Sequence, residues 1–253
     1  MKLSKLSILW NALILLVLGS LAFLNVVLFN QAKKYYLEVN QTRLDPLGLN
    51  YYPVDFEGTA DQPEPRVVFL GDSRAENWPP PDINGYEFVN RGISSQTSTQ
   101  VVQRFSPHVR SLNPDIVIIQ VGVNDLKTVT LFPKSRESIV HNTKANIERI
   151  VNESHSLGAA VIVTTIFPVG EVPLQRRPFW SDDISQAIDD VNAYIKTLAD
   201  EQTVVFDTFP LLADGRGVLR AEYRSDELHL NAQGYAVLNA ELSKLINLRS
   251  FQK

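Results

Sequence analysis

The chain has 253 residues, of which 24 are Lys or Arg and 28 are Asp or Glu, so its formal net charge at pH 7 is −4. Residues 1–36 hold four lysines and no acid, which leaves 20 bases against 28 acids in the rest of the chain. Because so acidic a body repels a phosphate backbone, nucleic-acid binding is not expected. The absence of cysteine excludes disulfide scaffolds, cysteine nucleophiles and cysteine-type zinc sites.

Residues 8–29 form an uncharged, mostly apolar stretch of 22 residues. At about 1.5 Å of rise per residue, this stretch spans a bilayer core of about 30 Å. It predicts one transmembrane helix within a membrane anchor that covers residues 1–36. A cleaved signal peptide is the alternative, because Lys2 and Lys5 precede the stretch, but the apolar core of a signal peptide is shorter, about 7 to 15 residues.

The lysines on the two sides of this stretch bear on its orientation. Lys2, Lys5 and the terminal amine precede it, whereas Lys33 and Lys34 follow it. The positive-inside rule therefore favours, by a small margin, a cytoplasmic N-terminus. The rest of the chain would then be periplasmic or otherwise extracytoplasmic.

Residues 37–65 contain four prolines, and this density predicts an extended, semi-rigid linker. Beyond the linker, five short runs rich in Val, Ile and Phe predict buried strands. These runs cover residues 66–70, 87–90, 115–120, 160–165 and 204–207.

Helical patterns alternate with the predicted strands. They cover residues 98–112, 135–157, 182–201 and 232–248. Because alternating helices and nearly continuous apolar strands are typical of a parallel sheet covered on both faces, residues 66–253 are predicted to form a single α/β domain.

Polar residues suited to acyl transfer follow the predicted strands. Ser73 comes after the first strand, Gly92 after the second and Asn124 after the third, and Asp226 and His229 stand just before the last helix. Ligands of open parallel sheets bind at the carboxyl ends of the strands. We therefore expect these five residues to meet at one edge of the sheet.

Each residue type has a part in that chemistry. A serine hydroxyl is a poor nucleophile at neutral pH, and His229 is the candidate base that would activate Ser73. Asp226, three residues upstream, would hold the imidazole in one tautomer. The backbone N–H groups of Ser73 and Gly92 and the side-chain amide of Asn124 are the candidate oxyanion donors.

Four short blocks carry a resemblance to a known family. They are residues 71–73 (GDS), 90–93 (NRGI), 122–125 (GVND) and 226–231 (DELHLN). In this order they resemble the signature blocks of the SGNH hydrolases, the GDSL-type esterases and lipases, over about residues 66–246. Residues 228–235 are similar to the branch of platelet-activating-factor acetylhydrolase catalytic subunits. The resemblance implies a three-layer α/β/α sandwich with a flavodoxin-like sheet and the roles given above. No metal or cofactor is expected, because His108, His141 and His155 lack a metal-ligand spacing.

Three further residues are candidates for substrate binding. Arg74 stands where the family motif normally has a leucine, and a cation beside the nucleophile would favour polar or anionic acyl esters. Phe179 and Trp180 belong to a long segment, residues 167–180, which is expected to overhang the site. A plain surface loop is the alternative for that segment.

The leading hypothesis is a membrane-anchored serine esterase that cleaves acetyl or acyl esters of a glycan or lipid through an acyl-enzyme. One alternative is an O-acyltransferase that uses the same triad on a glycan. The other is a non-catalytic module that binds a glycan or an envelope partner.

Overall fold

The computed structural model describes residues 5–53 and 64–248 and divides the chain into two compact units, residues 1–46 and residues 47–253. The predicted linker falls partly outside the described residues.

The first unit is built on one long helix, α1 (Lys5–Leu44), in which no residue is buried. Among the described residues it is the one helix long and apolar enough to cross a membrane, a test that signal sequences also pass. It is longer than the apolar stretch, so residues 37–44, predicted as linker, are helical. The physical reason is that no proline or glycine lies between residues 30 and 44, and the first proline of the segment is Pro46.

The second unit contains a five-stranded parallel sheet in the order β2-β1-β3-β4-β5. Its strands are β1 (Arg66–Gly71), β2 (Glu87–Gly92), β3 (Ile116–Gln120), β4 (Ala160–Thr164) and β5 (Thr203–Phe206). All five predicted strands are confirmed, with ends shifted by one or two residues. This order is that of the flavodoxin-like doubly wound sheet.

Apolar clusters cover both faces of the sheet, so the predicted three-layer sandwich is confirmed. On one face, alternate strand residues such as Ile119 and Val163 pack with Phe105, Ile147 and Ile188. On the other face, Phe69 and Ile118 of the strands pack with Trp78 and with Leu238 and Leu242 of the last helix.

The helices of the second unit lie in the connections between the strands and after β5. They are α2 (Ser73–Glu76), α3 (Ser98–Gln103), α4 (Phe105–Val109), α5 (Val123–Leu126), α6 (Arg136–His155), α7 (Asp182–Ile195), α8 (Phe209–Leu212) and α9 (Ala232–Leu248). The helix predicted over residues 98–112 is broken into α3, α4 and a 3₁₀ turn at Arg110–Leu112. Pro107 accounts for the break between α3 and α4, because it has no N–H to donate to the carbonyl of Gln103, the last residue of α3.

Residues 47–52 precede β1 and pack on the rest of the second unit. The amide of Gln96 donates to the carbonyl of Leu47 over 2.8 Å, and the Arg91 guanidinium lies 4.6 Å from the ring centre of Tyr52. We call residues 47–52 the strap. The strap is therefore a packed part of the domain, where the sequence predicted an extended linker.

Candidate active site

The turn from β1 into α2 places the candidate nucleophile at the sheet edge. A Cβ atom on Gly71 would lie 1.8 Å from the carbonyl oxygen of Gln120, so the close approach of β1 and β3 requires glycine. Asp72 caps α2, since its Oδ1 accepts the N–H of Arg74 at 2.9 Å. Ser73 follows in the first helical turn, where its N–H has no intrahelical acceptor and no other described residue accepts it.

A continuous chain of hydrogen bonds joins the side chains of Ser73, His229 and Asp226. The Oγ atom of Ser73 lies 2.9 Å from Nε2 of His229, and Nδ1 of His229 lies 2.8 Å from Oδ2 of Asp226. These three residues come from two segments more than 150 residues apart. A hydroxyl, an imidazole and a carboxylate in this order match a nucleophile, a base and an orienting acid.

Asp226 is held by the turn that also carries His229. Its Oδ1 accepts the backbone N–H groups of Leu228 at 2.7 Å and of His229 at 2.8 Å. Partial burial alone would raise the pKa of Asp226, but the hydrogen bonds from the His229 side chain and these two N–H groups outweigh it and lower the pKa. The carboxylate therefore stays ionised and accepts the Nδ1 hydrogen, which leaves Nε2 free to accept the hydroxyl of Ser73.

Asn124 lies at the start of α5 and is fixed at both ends of its amide. Its Nδ2 donates to the carbonyl of Gln96 at 3.0 Å, and its Oδ1 accepts from Nζ of Lys127 at 2.7 Å. These two partners set the orientation of the amide, because the ammonium can only donate and the carbonyl can only accept. The second hydrogen on Nδ2 has no acceptor among the described residues.

Gly92 ends β2 at the same sheet edge as Ser73, and its role as an oxyanion donor stays a prediction. Its N–H donates to Oδ1 of Asn90 at 2.8 Å, so this hydrogen is already bound. A Cβ atom at Gly92 would lie 2.1 Å from the backbone nitrogen of Glu76. Gly92 is therefore a packing requirement that lets α2 lie against the end of β2.

Arg74 also departs from its predicted role. Its side chain is 0% exposed and donates to the carbonyls of Leu228 at 2.9 Å and of Phe167 at 3.2 Å. Burial lowers the pKa of Arg74 and raises that of neighbouring Asp72 to about 6, while the attraction between the two charges opposes both shifts. The guanidinium therefore supports, from inside the protein, the turn that carries His229, and it does not reach a substrate.

The segment of residues 167–180 is tied to the same turn. The N–H of Gly170 donates to the carbonyl of Glu227 at 2.8 Å, and the guanidinium of Arg176 pairs with the Glu227 carboxylate. Phe179 is 62% exposed, whereas Trp180 packs against the hydrophobic core. Phe179 therefore stays available to a ligand, while most of the indole of Trp180 is used for packing.

A cleft of about 930 Å³ opens beside His229 and Asp226. Two of its walls are formed by residues that no motif in the sequence marks as part of the site. One wall is the end of α2 with Glu76 and Asn77, and the other is the loop after β2 with Ser94. No spacing in the sequence indicates that these residues face the histidine, because only the sheet order brings β1 next to β2.

Comparisons with known proteins agree with this architecture. Residues 57–237 match the GDSL-like Lipase/Acylhydrolase family. An acetylxylan esterase of Geobacillus stearothermophilus is 26% identical over 161 residues, 61% of this chain and 69% of that protein. A solved structure described as a platelet activating factor protein from Streptococcus pneumonia superposes with a TM-score of 0.67 at 21% identity, covering 85% of this chain and 99% of the other.

An N-acylneuraminate cytidylyltransferase of Escherichia coli is 23% identical over 194 residues, 76% of this chain. The matched region is 42% of the length of that protein. This chain therefore spans less than half of that relative.

The fold and the family match together define an SGNH hydrolase. The chain belongs to the GDSL-like lipase/acylhydrolase family and is a carboxylic ester hydrolase.

Proposed function

We propose that this chain is a membrane-anchored serine esterase that removes acetyl groups from hydroxyls of a carbohydrate. The observation that carries the proposal is the continuous line of hydrogen bonds from Ser73 through His229 to Asp226. The similarity to an acetylxylan esterase supports an acetylated glycan as substrate. The polar residues that line the cleft beside His229 support it too, because they offer hydrogen bonds to sugar hydroxyls.

The first half of the reaction forms an acyl-enzyme. His229 Nε2 takes the hydroxyl proton of Ser73 as Oγ attacks the ester carbonyl, and Asp226 stabilises the imidazolium that results. The carbonyl oxygen becomes an oxyanion, which the N–H of Ser73 and the second amide hydrogen of Asn124 would bind. The C–O bond to the alcohol then breaks, and the imidazolium returns its proton to the departing oxygen.

The second half of the reaction uses water in place of the alcohol. His229 removes a proton from a water molecule, whose oxygen attacks the acetyl-Ser73 carbonyl. As this intermediate collapses, the bond from the acetyl carbon to Oγ breaks, the imidazolium returns its proton to Oγ, and acetate is released. A sugar hydroxyl in the place of this water would give O-acetyl transfer. Product analysis with added acceptor sugar separates transfer from hydrolysis.

The test of the nucleophile is the Ser73→Ala variant of the full chain in detergent. We expect its hydrolysis of 4-nitrophenyl acetate to fall by roughly 10⁴-fold or more and its labelling by a fluorophosphonate to be lost. The matched control is Ser138→Ala, which removes an exposed hydroxyl from the first turn of α6. Equal hydrolysis and labelling by wild type and Ser73→Ala would refute the assignment.

For the membrane, we propose that α1 is an uncleaved anchor with a cytoplasmic N-terminus and that the catalytic domain lies outside the cytoplasm. The exposed apolar surface of α1 and its length support this proposal. N-terminal sequencing of the membrane fraction should find the chain uncleaved, and external protease should digest the catalytic domain in spheroplasts. A mature N-terminus beyond residue 29 would show instead that the segment is a signal peptide.

A further inference from the structure

In the proposed reaction, the cleft beside His229 would receive the alcohol portion of the ester. In the proposed reaction, His229 protonates the departing alcohol oxygen, so that oxygen must lie within hydrogen-bond reach of Nε2. The group attached to it then extends into a cavity that His229 itself lines. The walls of this cavity therefore select among alcohols.

Glu76 is a charged wall of that cleft. Its carboxylate stands at the end of α2, three residues after Ser73, and is only partly buried. One oxygen accepts the hydroxyl of Tyr51 from the strap, and the other accepts the hydroxyl of Ser94 from the loop after β2. Two neutral donors from different segments thus hold the carboxylate in place and leave its charge intact.

The positive charges near Glu76 point away from the cleft. Within residues 5–53 and 64–248, no lysine, arginine or histidine forms an ion pair with Glu76. Arg104 is close enough to interact electrostatically, but its guanidinium is buried and donates to Gln96 and to the carbonyl of Gly71. Arg74 is likewise internal. Among the described residues, the charge that the α2 side of the cleft presents is therefore negative.

We propose that Glu76 determines substrate specificity: it favours esters whose alcohol portion is cationic or rich in hydroxyls and disfavours alcohols that carry a carboxylate or a phosphate. A carboxylate accepts hydrogen bonds from hydroxyls and ammonium groups, and like charges close together are repelled. This inference rests on the proposed function. It reverses the preference that Arg74 suggested in the sequence, because the arginine is turned inward and the glutamate outward.

Three acetate esters that differ only in charge test the proposal. They are 3-acetoxybenzoate, 3-acetoxybenzamide and (3-acetoxyphenyl)trimethylammonium, and kcat/KM is measured for each with wild type and with Glu76→Gln. A unit charge at about 5 Å in a solvated cleft changes kcat/KM about fourfold. Relative to the neutral amide, Glu76→Gln should raise kcat/KM for the benzoate, and lower it for the trimethylammonium ester, by about this factor.

The control is Glu241→Gln, which makes the same change in net charge at an exposed ion pair with Lys244 on α9. This variant should leave kcat/KM for the two charged esters, each relative to the neutral amide, as in wild type. A second measurement needs no variant: raising KCl from 20 mM to 500 mM should reduce the charge preference of wild type, because salt screens exposed charges.

Two results would overturn the inference while leaving the proposed function intact. One is that Glu76→Gln leaves kcat/KM for the benzoate and for the trimethylammonium ester, each relative to the neutral amide, as in wild type, and the other is a wild-type charge preference that salt does not alter. If wild type hydrolyses none of the esters and takes no fluorophosphonate label, the proposed function fails and the specificity assignment fails with it.

Discussion

The two sides of the candidate site are built in different ways. The acid–base side, Asp226 and His229, is one turn in which Asp226 accepts the hydrogens of His229 and Leu228. The oxyanion side, Asn124 with its partners Gln96 and Lys127, is joined to the strap through the bond from Gln96 to Leu47. The hydrogen bonds that orient the Asp226 carboxylate and the imidazole span at most three residues, whereas those that orient the Asn124 amide link segments up to 77 residues apart.

This difference separates what a short motif can determine from what the fold must supply. Hydrogen bonds that span at most three residues hold the Asp226 carboxylate against His229, whereas the long-range bonds from Arg74 and Gly170 position this turn as a whole. An amide that depends on a distant carbonyl keeps its orientation only while the packing between those segments holds. Substitutions on the acid–base side should therefore affect chemistry alone, whereas those on the oxyanion side should also respond to the strap.

The largest effect among these substitutions is expected for Asp226→Asn. The asparagine oxygen can still accept the two backbone N–H groups, but its amide nitrogen would donate toward Nδ1 of His229 and favour the wrong tautomer. We expect kcat for 4-nitrophenyl acetate to fall by roughly 10³ to 10⁴. The control is Asp190→Asn, which changes an exposed carboxylate on α7 that pairs with Arg136 of α6. A loss below tenfold would show that the local turn does not orient the imidazole.

A smaller effect is expected on the oxyanion side. Asn124→Ala removes one donor to the oxyanion and should lower kcat by roughly 10² to 10³, with KM little changed. Lys127→Met keeps Asn124 but removes the group that orients its amide, so about a tenfold loss is expected. Lys127→Arg retains a donor and should recover part of this loss. Equal losses in the Met and Arg variants would contradict an orienting role for Lys127.

The smallest effect is expected for Tyr52→Phe in the strap. The Tyr52 hydroxyl donates to the carbonyl of Gly92, and burial, the largest cause, raises its pKa to about 12, so it remains a donor at neutral pH. Loss of this bond should lower the free energy of unfolding by about 1 kcal/mol and kcat by about two- to fivefold. Tyr86→Phe is the control, because that ring packs on Phe88. Unchanged activity and stability would show that the strap does not support the oxyanion side.

Much of the fold was predictable because its signals are local. Runs of Val and Ile indicated all five strands, and their alternation with helices indicated a parallel sheet with two covered faces. The long apolar stretch indicated α1, but its end was misplaced, since an exposed polar helix without proline has no apolar pattern to mark its extent. The break between α3 and α4 could have been predicted from Pro107, which cannot donate to Gln103, but the predicted helix ran through this residue.

The site was predictable where a role follows from residue type and position after a strand. Ser73, Asn124, Asp226 and His229 lie at the expected edge, because every parallel strand ends there. The predicted role of Arg74 was wrong, and the N–H of Gly92 has a partner that the sequence did not indicate, for one physical reason. A backbone N–H or a long side chain can point either way from the same position, and only its neighbours decide which. For Gly92 that neighbour is Asn90, and for Arg74 it is the carbonyl of Leu228.

The amino-acid sequence alone determined the class of chemistry, because a hydroxyl, an imidazole and a carboxylate in these blocks have few other uses. The tertiary structure decided the charge that a substrate meets. Arg74 and Glu76 lie two positions apart on one helical turn, and the sequence assigns neither of them a direction. Packing turns the arginine toward buried carbonyls and the glutamate toward the cleft, since a buried cation needs acceptors that only the folded chain provides.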